Sequence, residues 1–534
     1  MSYVEPRQAQ DPERSRGTSE TSRTMIQEHR VLLAALLSSL IMVWYLHAFG
    51  KPRQADLPTQ KDFAAAVEQR ELAHIQPPQV EEVIHLESQY LELEIGKGSA
   101  SIRKATLKGY QHLTTHNALQ FGESYQILLI QVGDLKEAWN LQRASSREAT
   151  WTRQYNGILH GVNISLTESG PTFSIEISAE NNTSTSQQLA TKLIASFGRS
   201  DEMNGRNNQL EAVLLTEKQI PWQRAYLKYF GSRSVINVPR GTLMATLAER
   251  YFCHSIRPSN GLVTTSVLPS NTNYISVSIE SSVAVDPGRK ETIRSTSYLG
   301  PRDFFKLRDS GFAEAFQVGL LTKIGLSLML FMKWIASLTN SYGIAVILLA
   351  LIVTLCMSPF TLVSFRSMRK MHELQPKLEA LRKKYANDPK RVNQETFLLF
   401  KEHRVSPLSG CLPMLIQMPI FFSIWSAISH VIELRGQPFL WIKDLSLPDR
   451  LARIPPGLDL NILPILMAAA MFFQTKLSQQ QVPQSGTNDI AKMMSGPLMP
   501  IMFGVMFYGL PSYLVLYWLI NSLTTLAFYQ FARS

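Results

Sequence analysis

The sequence predicts a polytopic α-helical membrane protein that carries one large antiparallel β-sandwich domain. Apolar segments of membrane-spanning length lie at 31–49 and after residue 312, and a transmembrane helix needs about 20 such residues. Between them, residues 85–310 alternate apolar and polar residues with a period of two, which is typical of half-buried strands. A basic segment at 366–404 separates two apolar segments, and such a charge bias orients a membrane protein.

Composition excludes several classes of function. The net charge of +11 over 534 residues is concentrated in the segment 366–404, which has eleven Lys/Arg against five Asp/Glu. That position favours a membrane-flanking loop over a DNA-binding surface. The three cysteines supply no disulfide framework and no metal or redox motif. We therefore expect no DNA partner, no metal and no cofactor.

The N-terminal region is predicted to be a cytoplasmic tail (1–30), a transmembrane anchor (31–49) and a linker (50–84). The apolar run at 31–49 has two interpretations, a cleaved signal peptide or a retained anchor. The leader before it is long and no small-residue cleavage motif follows it, so we favour the retained anchor.

Five further apolar segments follow the β-domain, and we predict that each crosses the bilayer. They are 343–365, 411–432, 461–475, 497–510 and 512–531. Six spans place both termini on one side of the membrane. The basic loop 366–410 is predicted to be cytoplasmic, and so are both termini.

One segment before the first of these spans is ambiguous. Residues 313–333 are apolar but have Lys323 in the middle. A span here would invert the topology and export the basic loop. We therefore predict that 311–342 contains an amphipathic helix that lies in the outer membrane interface.

The β-domain is predicted from four alternating runs, which begin at Leu91, Val162, Phe173 and Ile275. Trp151, Trp222 and His160 lie in this domain. They are consistent with a small-ligand site, but we favour a packed core and a satisfied surface histidine. The sequence does not identify a ligand, and we expect no small-molecule substrate.

The basic loop is predicted to be a helical hairpin. An apolar stripe recurs at helical spacing from Met368 to Tyr385, and Asp388-Pro389 is typical of a second helix start. The stripe should pack on the hairpin's other arm, the membrane surface or a passing chain, whereas the charges alone need be no more than a topology signal. The basic face consists of Arg369, Lys370, Lys377, Arg382, Lys383 and Lys384.

Polar residues and prolines inside the apolar segments form the candidate site, because such residues are costly in lipid. The amides of Gln417 and Asn521 require partners from other helices or water, whereas a serine or threonine can bond its own helix. Two spans also have short apolar parts, which indicate either a locally thin bilayer or helices extended by polar ends. No catalytic motif, nucleotide-binding motif or intramembrane carboxylate is present.

Several motifs resemble those of the YidC/Oxa/Alb family of membrane protein insertases. They are Leu374 to Leu378 (LQPKL), Gly410 to Phe421 (GCLPMLIQMPIF), Val431 to Arg435 (VIELR), Trp441 to Leu445 (WIKDL), Ile462 to Met467 (ILPILM), Met471 to Gln474 (MFFQ) and Pro511 to Tyr517 (PSYLVLY). The resemblance is dense over about 340–530. The overall layout resembles that of Gram-negative members, with a periplasmic β-domain and a five-helix insertase core at 343–531.

The resemblance implies an ATP-independent insertase and folding chaperone of the bacterial inner membrane. Its implied partners are nascent membrane proteins, the lipid bilayer, the Sec translocon and, weakly, the ribosome. A hydrophilic groove that is open to lipid and cytoplasm would be lined by Thr354, Ser358, Gln417, Ser423, Asn521 and Ser522. Implied substrate contacts are Met357, Pro359, Pro419, Tyr517 and Trp518.

The sequence departs from the family pattern at one position of interest. Members of this layout usually carry an arginine five residues before the proline matched by Pro359, and here that residue is Thr354. The order Asn521-Ser522 is likewise inverted. Two other classes of function remain as alternatives, a transporter or channel and a membrane-anchored ligand-binding β-domain.

Overall fold

The structure is a computed structural model that describes most of the chain from residue 81 onward. The described ranges are 81–111, 117–122, 125–133, 138–198, 210–217, 224–230, 236–238, 241–259, 263–268, 274–316, 320–386, 388–403, 412–428, 431–454, 458–479 and 498–531. The predicted tail at 1–30, the anchor at 31–49, nearly all of the linker at 50–84, and Trp222 lie outside them.

The first half of the described chain is built from strands, as the period-two pattern predicts. They are β1 (Val83–Glu87), β2 (Leu91–Gly96), β3 (Ile102–Gln111), β4 (Ala118–Phe121), β5 (Leu128–Val132), β6 (Asn140–Ala144), β7 (Glu148–Tyr155), β8 (Ile158–Leu166), β9 (Thr172–Asn181), β10 (Gln187–Gly198), β11 (Glu211–Glu217), β12 (Arg224–Phe230), β13 (Ile236–Val238), β14 (Thr242–Ala248), β15 (Phe252–Pro258), β16 (Thr264–Val267), β17 (Tyr274–Val285) and β18 (Lys290–Pro301).

These strands form two nine-stranded antiparallel sheets. One has the order β1-β2-β3-β5-β10-β17-β16-β13, with β4 also paired to β3, and the other has the order β12-β11-β14-β15-β18-β9-β8-β7-β6. The longest pairing joins β10 to β17 from Gln187↔Val285 to Gly198↔Tyr274. Apolar residues from both sheets share one buried core, which confirms the predicted antiparallel β-domain.

The alternating residues of β2 illustrate how the core is built. Leu91, Leu93 and Ile95 are fully buried, whereas the glutamates between them are half-buried. Trp151 of β7 is also fully buried, and its indole Nε1 donates to the Lys97 carbonyl over 2.9 Å. This tryptophan therefore belongs to the packed core.

The second half of the chain is helical. Its helices are α1 (Phe304–Asp309), α2 (Leu320–Thr339), α3 (Tyr342–Glu373), α4 (Gln375–Lys384), α5 (Pro389–Glu402), α6 (Leu412–Ile428), α7 (Ile462–Gln479), α8 (Leu498–Phe507) and α9 (Ser512–Phe531). A short ribbon of β19 (Ala452–Ile454) and β20 (Leu458–Leu460) precedes α7. Among these helices, α9 packs against both α3 and α7, and α2 packs against α3 and α6.

Within the described part of the chain, two helices are long and apolar enough to cross a membrane, over Leu321–Thr339 and Tyr342–Val363. The predicted spans at 411–432, 461–475, 497–510 and 512–531 correspond to α6, α7, α8 and α9. At about 1.5 Å per residue, the 18 residues of α7 reach about 27 Å, because polar residues extend its apolar part. The ten residues described for α8 reach only about 15 Å.

Helices α4 and α5 lie in the basic segment 366–410, for which a helical hairpin was predicted. Helix α3 continues without a break past 365, and a tight turn at Leu374 leads into α4. Asp388 caps α5 by accepting from the Arg391 backbone N–H over 3.1 Å, and Pro389 follows it. Leu374 and Leu378 of the apolar stripe are buried against Phe400 of α5. Of the three surfaces considered for the stripe, the other arm is the one it contacts.

Candidate functional site

A hydrogen bond between two polar residues links helices α6 and α9. Gln417 donates from its amide Nε2 to the Tyr517 hydroxyl over 2.9 Å. The pair is 100 residues apart in sequence, and both members come from otherwise apolar helices. The partner of the half-buried Gln417 amide is therefore a phenol on the last helix.

Aromatic residues of α6, α8 and α9 pack together beside this contact and cover one side of it. The Trp518 ring lies 5.1 Å from Phe421 of α6 in an edge-to-face arrangement, 5.7 Å from Phe503 and 5.3 Å from Phe507, both of α8. Such geometry adds to the free energy of burial. Tyr517 and Trp518 are 1% and 8% exposed. Their side chains are therefore covered by neighbouring helices in this conformation.

Two of the predicted groove residues satisfy their hydroxyls within their own helices. Thr354 donates to the Ala350 carbonyl of α3 over 2.7 Å, and Ser423 donates to the Pro419 carbonyl of α6 over 2.7 Å. Both side chains are buried. Both hydroxyls therefore bond carbonyls one turn earlier in their own helices and need no partner from another helix.

The accessible part of the predicted site lies further along α3. Met357 and Ser358 are half-buried, and Pro359 is exposed, as is Pro419 on α6. Residues three, four and seven positions apart share a helix face, so Thr354, Met357 and Ser358 lie on one side of α3. Along this side of α3, Thr354 is buried, whereas Met357 and Ser358 are partly accessible.

On α9, two adjacent polar residues, Asn521 and Ser522, follow about one turn after Tyr517. Asn521 lies one turn after Tyr517 and is half-buried, and its Oδ1 accepts from the Thr525 hydroxyl over 3.3 Å. Ser522 is buried. The structure thus brings Gln417 and Tyr517 into direct contact, with Asn521 on the same side of α9.

The basic hairpin lies at the far end of α3 from the β-domain. Five of its six predicted basic residues are exposed, including Arg369, Lys370, Lys383 and Lys384. Lys377 is also exposed, with its Nζ 3.1 Å from His403 Nε2 of the second arm, and Arg382 is half-buried. The hairpin therefore presents a positively charged surface.

Sequence reasoning missed an ionic cluster that joins three segments. Lys333 Nζ of α2 lies 2.9 Å from Glu433 Oε1, just after α6, and 3.2 Å from Asp303 Oδ2, just before α1. Asp303 is 2% exposed, and its other oxygen caps α1 by accepting from the Phe305 and Lys306 backbone N–H groups. The available signal was a lone lysine near the end of an apolar helix, which requires a counter-ion.

A second missed residue positions helix α7. Asp449 Oδ2 accepts from the backbone N–H groups of Ile462 and Leu463 over 2.8 and 2.9 Å, and from the Trp441 indole over 3.2 Å. An acidic cap satisfies unpaired donors at a helix start. The loop before α7 is thereby tied to the helix.

Comparison with known proteins points to one family. Residues 334–534 match the family described as the 60Kd inner membrane protein. The membrane protein insertase YidC of Geobacter sp. (strain M21) is 37% identical over 288 residues, which are 53% of this chain and 51% of the relative. The insertase of the same name from Geotalea uraniireducens (strain Rf4) is 27% identical over 544 residues, or 94% and 98% of the two chains.

The first two relatives are matched over only about half of their own length, 51% and 49%. A crystal structure of an active YidC insertase with its first transmembrane domain resolved is 18% identical, covers 87% of this chain and 96% of that one, and has a TM-score of 0.37. Sequence matches to the helical half and to nearly the whole chain converge on the same family. The helical half of the chain is therefore similar to the 60Kd inner membrane protein family, and nearly the whole chain is similar to a YidC membrane protein insertase.

Proposed function

We propose that this protein is a membrane protein insertase and folding chaperone of the bacterial inner membrane. The observation that carries the proposal is the Gln417–Tyr517 contact, which lies in the part of the chain that matches the insertases. It places a polar pair between two apolar helices, and Asn521 and Ser522 follow on α9. In the proposed mechanism, the side chains of Gln417, Tyr517, Asn521 and Ser522 form the inner wall of a hydrophilic groove. Thr354, Ser358 and Ser423 also line this groove.

The proposed topology has six spans, with the anchor at 31–49 and five core spans in α3, α6, α7, α8 and α9. The positive surface of α4 and α5 favours a cytoplasmic location for the hairpin. Both termini are then cytoplasmic, and the β-domain is periplasmic. The domain boundaries given from the sequence remain part of this proposal.

Helix α2 is proposed to lie in the outer interface although it is long and apolar enough to span. Lys333 is two thirds of the way along it, yet contacts Asp303 at the end of the β-domain and Glu433 after α6. Both of these partners belong to the outer side in the proposed topology. Lys323, nearer the start, is exposed, and an exposed lysine is better tolerated at an interface than within hydrocarbon.

The groove would lower the barrier to carrying polar segments across the bilayer. Each unsatisfied backbone group costs several kcal/mol in hydrocarbon, whereas the side-chain amides of Gln417 and Asn521 offer alternative partners. The apolar segment of the substrate would pass into lipid alongside the accessible residues Met357 and Pro359 on α3. Its burial in the bilayer supplies the driving force, so that no nucleotide is required.

Nascent membrane proteins and lipid are the proposed partners, and the protein is proposed to act alone or with the Sec translocon. The exposed basic hairpin supports weak docking of the ribosome, since phosphate-rich RNA attracts clustered lysine and arginine. No fixed cation is proposed inside the groove, because Thr354 occupies the position of the usual family arginine.

Reconstitution tests the proposal. Purified protein in liposomes, without nucleotide, should insert a small one- or two-span membrane protein that empty liposomes leave unprotected or unassembled. A Gln417→Leu variant should insert less, whereas a Ser423→Ala variant, whose hydroxyl bonds only its own helix, should retain most of the activity. Equal insertion into empty liposomes would refute the proposal.

The same preparation separates the alternative functions. A transporter or channel predicts solute flux and access to Gln417 from both sides, whereas a groove predicts access from the cytoplasmic side alone. A ligand-binding β-domain on a membrane anchor predicts that deleting residues 85–300 abolishes function. The insertase proposal predicts that much of the insertion activity survives that deletion.

A further inference from the structure

The loop between α6 and α7 contains a tight two-residue turn, formed by Leu440 and Trp441. Phe439 and Ile442 flank this turn and exchange both of their backbone hydrogen bonds, over 2.8 and 2.9 Å. The Leu440 side chain is 75% exposed and that of Trp441 is 36% exposed. The tip of the turn therefore presents two large apolar side chains outside the packed core.

The backbone of Leu440 is strained. Its φ is +53°, in the left-handed region that a residue with a Cβ seldom adopts. The turn between β7 and β8 has the same length, from Tyr155 to Ile158. There the chain places Asn156, with a φ of +48°, and Gly157, with a φ of +78°, and these residue types are favoured in such turns. A leucine kept in this conformation at an exposed tip indicates a role for its side chain outside the fold.

The turn is held firmly against the helical core. The Phe439 ring lies against the backbone of Gly343 in the first turn of α3, where an added Cβ would overlap the ring. Ile442, on the other side of the turn, is only 1% exposed. The Trp441 indole donates to Asp449, the residue that caps α7. The core therefore fixes the position of the exposed tip.

The same loop also contacts the start of α9. The Ser512 backbone N–H donates to the Leu447 carbonyl over 2.8 Å. The Tyr513 backbone N–H donates to the Leu445 carbonyl over 3.0 Å. Residues 439–449 thus lie against the first turns of α3, α7 and α9. In the proposed topology these three helices all enter the bilayer from the outer side at these ends, so the turn lies at the outer membrane surface.

We propose that the Leu440–Trp441 turn inserts into the outer leaflet and anchors this loop to lipid. The proposal rests on the proposed topology. Leu440 would contact the upper part of the acyl chains, and Trp441 would lie at the level of the lipid glycerol, where tryptophan is enriched. Because the indole N–H is already bonded to Asp449, the ring can enter an apolar region without leaving a donor unsatisfied.

The surroundings of the turn fit a lipid surface. The exposed apolar residues of α3 begin at Ile344, next to the Gly343 that Phe439 covers, so the turn continues the side of α3 that faces lipid in the proposed topology. The exposed Lys443 follows two residues after Trp441 and could extend its ammonium to the headgroup phosphates.

Lipid is favoured over a protein partner by the size of the exposed tip. A specific protein interface takes about 20–30 residues from each partner, whereas the tip offers two apolar side chains. Burial of even a single apolar side chain in lipid is favourable by itself. The tip is therefore sufficient for an anchor in lipid.

The test measures the depth of the turn in liposomes that contain the purified full chain and phospholipid alone. A fluorescent noncanonical amino acid replaces Leu440 in one protein and Asn156, at the tip of the β7–β8 turn, in the matched control. One quencher is a lipid with a spin label on the acyl chain near the glycerol, and the other is iodide on both sides of the membrane.

The probe at position 440 should lose most of its fluorescence to the labelled lipid and little to iodide. The probe at position 156 should lose fluorescence to iodide and little to the labelled lipid. Quenching of both probes by iodide, with none by the labelled lipid, would overturn the proposal.

A second measurement excludes insertion that the probe itself drives. Here the probe replaces Lys443, so that Leu440 and Trp441 remain native, and the quencher is a headgroup-labelled lipid. Leu440→Asn keeps a residue that tolerates the left-handed backbone but removes the apolar side chain. Quenching should therefore fall in this variant, whereas thermal unfolding should show no loss of stability. Leu159→Asn, a change at an exposed leucine of the β-domain, should leave the quenching unchanged.

Equal quenching in the wild type and in Leu440→Asn would overturn anchoring by this side chain. The insertion assay with the unlabelled chain is a separate measurement in the same liposomes. Insertion without lipid quenching would remove the anchor and leave the insertase proposal, and lipid quenching without insertion would do the reverse.

Discussion

Gln417 and Tyr517 form a hydrogen bond of 2.9 Å between the amide of one apolar helix and the phenol of another. The Gln417 amide cannot satisfy its polar atoms on its own helix backbone as a serine or threonine does. The bond therefore links the packing of α6 and α9 to the polarity of the candidate groove.

The energy of this contact can be measured with a double-mutant cycle. Tyr517→Phe should remove the hydroxyl that accepts from the Gln417 amide. Gln417→Leu should remove the amide that donates to the Tyr517 hydroxyl. The coupling free energy should be about 0.6 kcal/mol and at most about 1.7 kcal/mol, the range measured for bonds between membrane helices. Unfolding in detergent measures the stability of each variant. If the changes in unfolding free energy of the two single variants add up to that of the double variant, the bond contributes nothing.

Thr354 provides a contrasting prediction. Thr354→Val keeps the shape of the side chain and removes a hydroxyl that bonds only the Ala350 carbonyl of its own helix. We expect a change in unfolding free energy below about 0.5 kcal/mol and nearly normal insertion. Loss of insertion with unchanged stability would mean that this hydroxyl acts on the substrate.

The ionic cluster around Lys333 should dominate the attachment of the β-domain to the core. Lys333→Met removes the shared cation of two partly or fully buried carboxylates and should cost about 2–3 kcal/mol. Asp303→Asn should cost less than Asp303→Ala, because an asparagine oxygen can still cap α1 whereas alanine loses both roles. Thermal unfolding measures the order, and equal effects of the two Asp303 variants would contradict the dual role.

Acid sensitivity of the β-domain is predicted from His254. Complete burial lowers the pKa of His254 from 6.5 to about 4, so the folded domain favours the neutral ring. Between those values the unfolded chain binds more protons than the folded one. This contribution to stability is therefore complete above about pH 6.5 and is lost as pH falls toward 4, by up to about 3 kcal/mol.

The variant His254→Leu should unfold with a flatter dependence on pH over that interval. His85→Gln, a change at an exposed histidine, should keep the slope of the wild type. Tryptophan fluorescence during denaturant unfolding at a series of pH values provides the measurement. An unchanged slope in His254→Leu would show that another group controls acid sensitivity.

Local patterns predicted the parts of the fold whose signals lie in neighbouring residues. The strand β2 was predicted from Leu91, Leu93 and Ile95, and the hairpin from its stripe and the Asp388 cap, because period and capping are local properties. The length of α7 was underestimated because the helix continues through its polar end. Helix α3 continues past the predicted span because no helix-breaking residue separates the apolar span from the charged helical segment that follows it.

The sequence predicted which residues belong to the candidate site but not which of them contact each other. An amide in an apolar segment indicates that Gln417 needs a partner, yet which of several polar residues supplies it depends on how α6 and α9 pack. Tyr517 and Trp518 were expected to contact substrate, and only the packing of α8 on α9 reveals that they are covered. The Lys333 cluster joins segments up to 130 residues apart, so no local pattern specifies it.

Site-specific photocrosslinking of a stalled nascent membrane protein is the most direct test of the proposed groove. A photoreactive residue at Met357, on the accessible part of the polar side of α3, should crosslink to the entering transmembrane segment. The same probe at Val505, an exposed residue of α8 (72% exposed), should crosslink to lipid. Equal crosslinking of the nascent chain at both positions, or at neither, would contradict insertion along this groove.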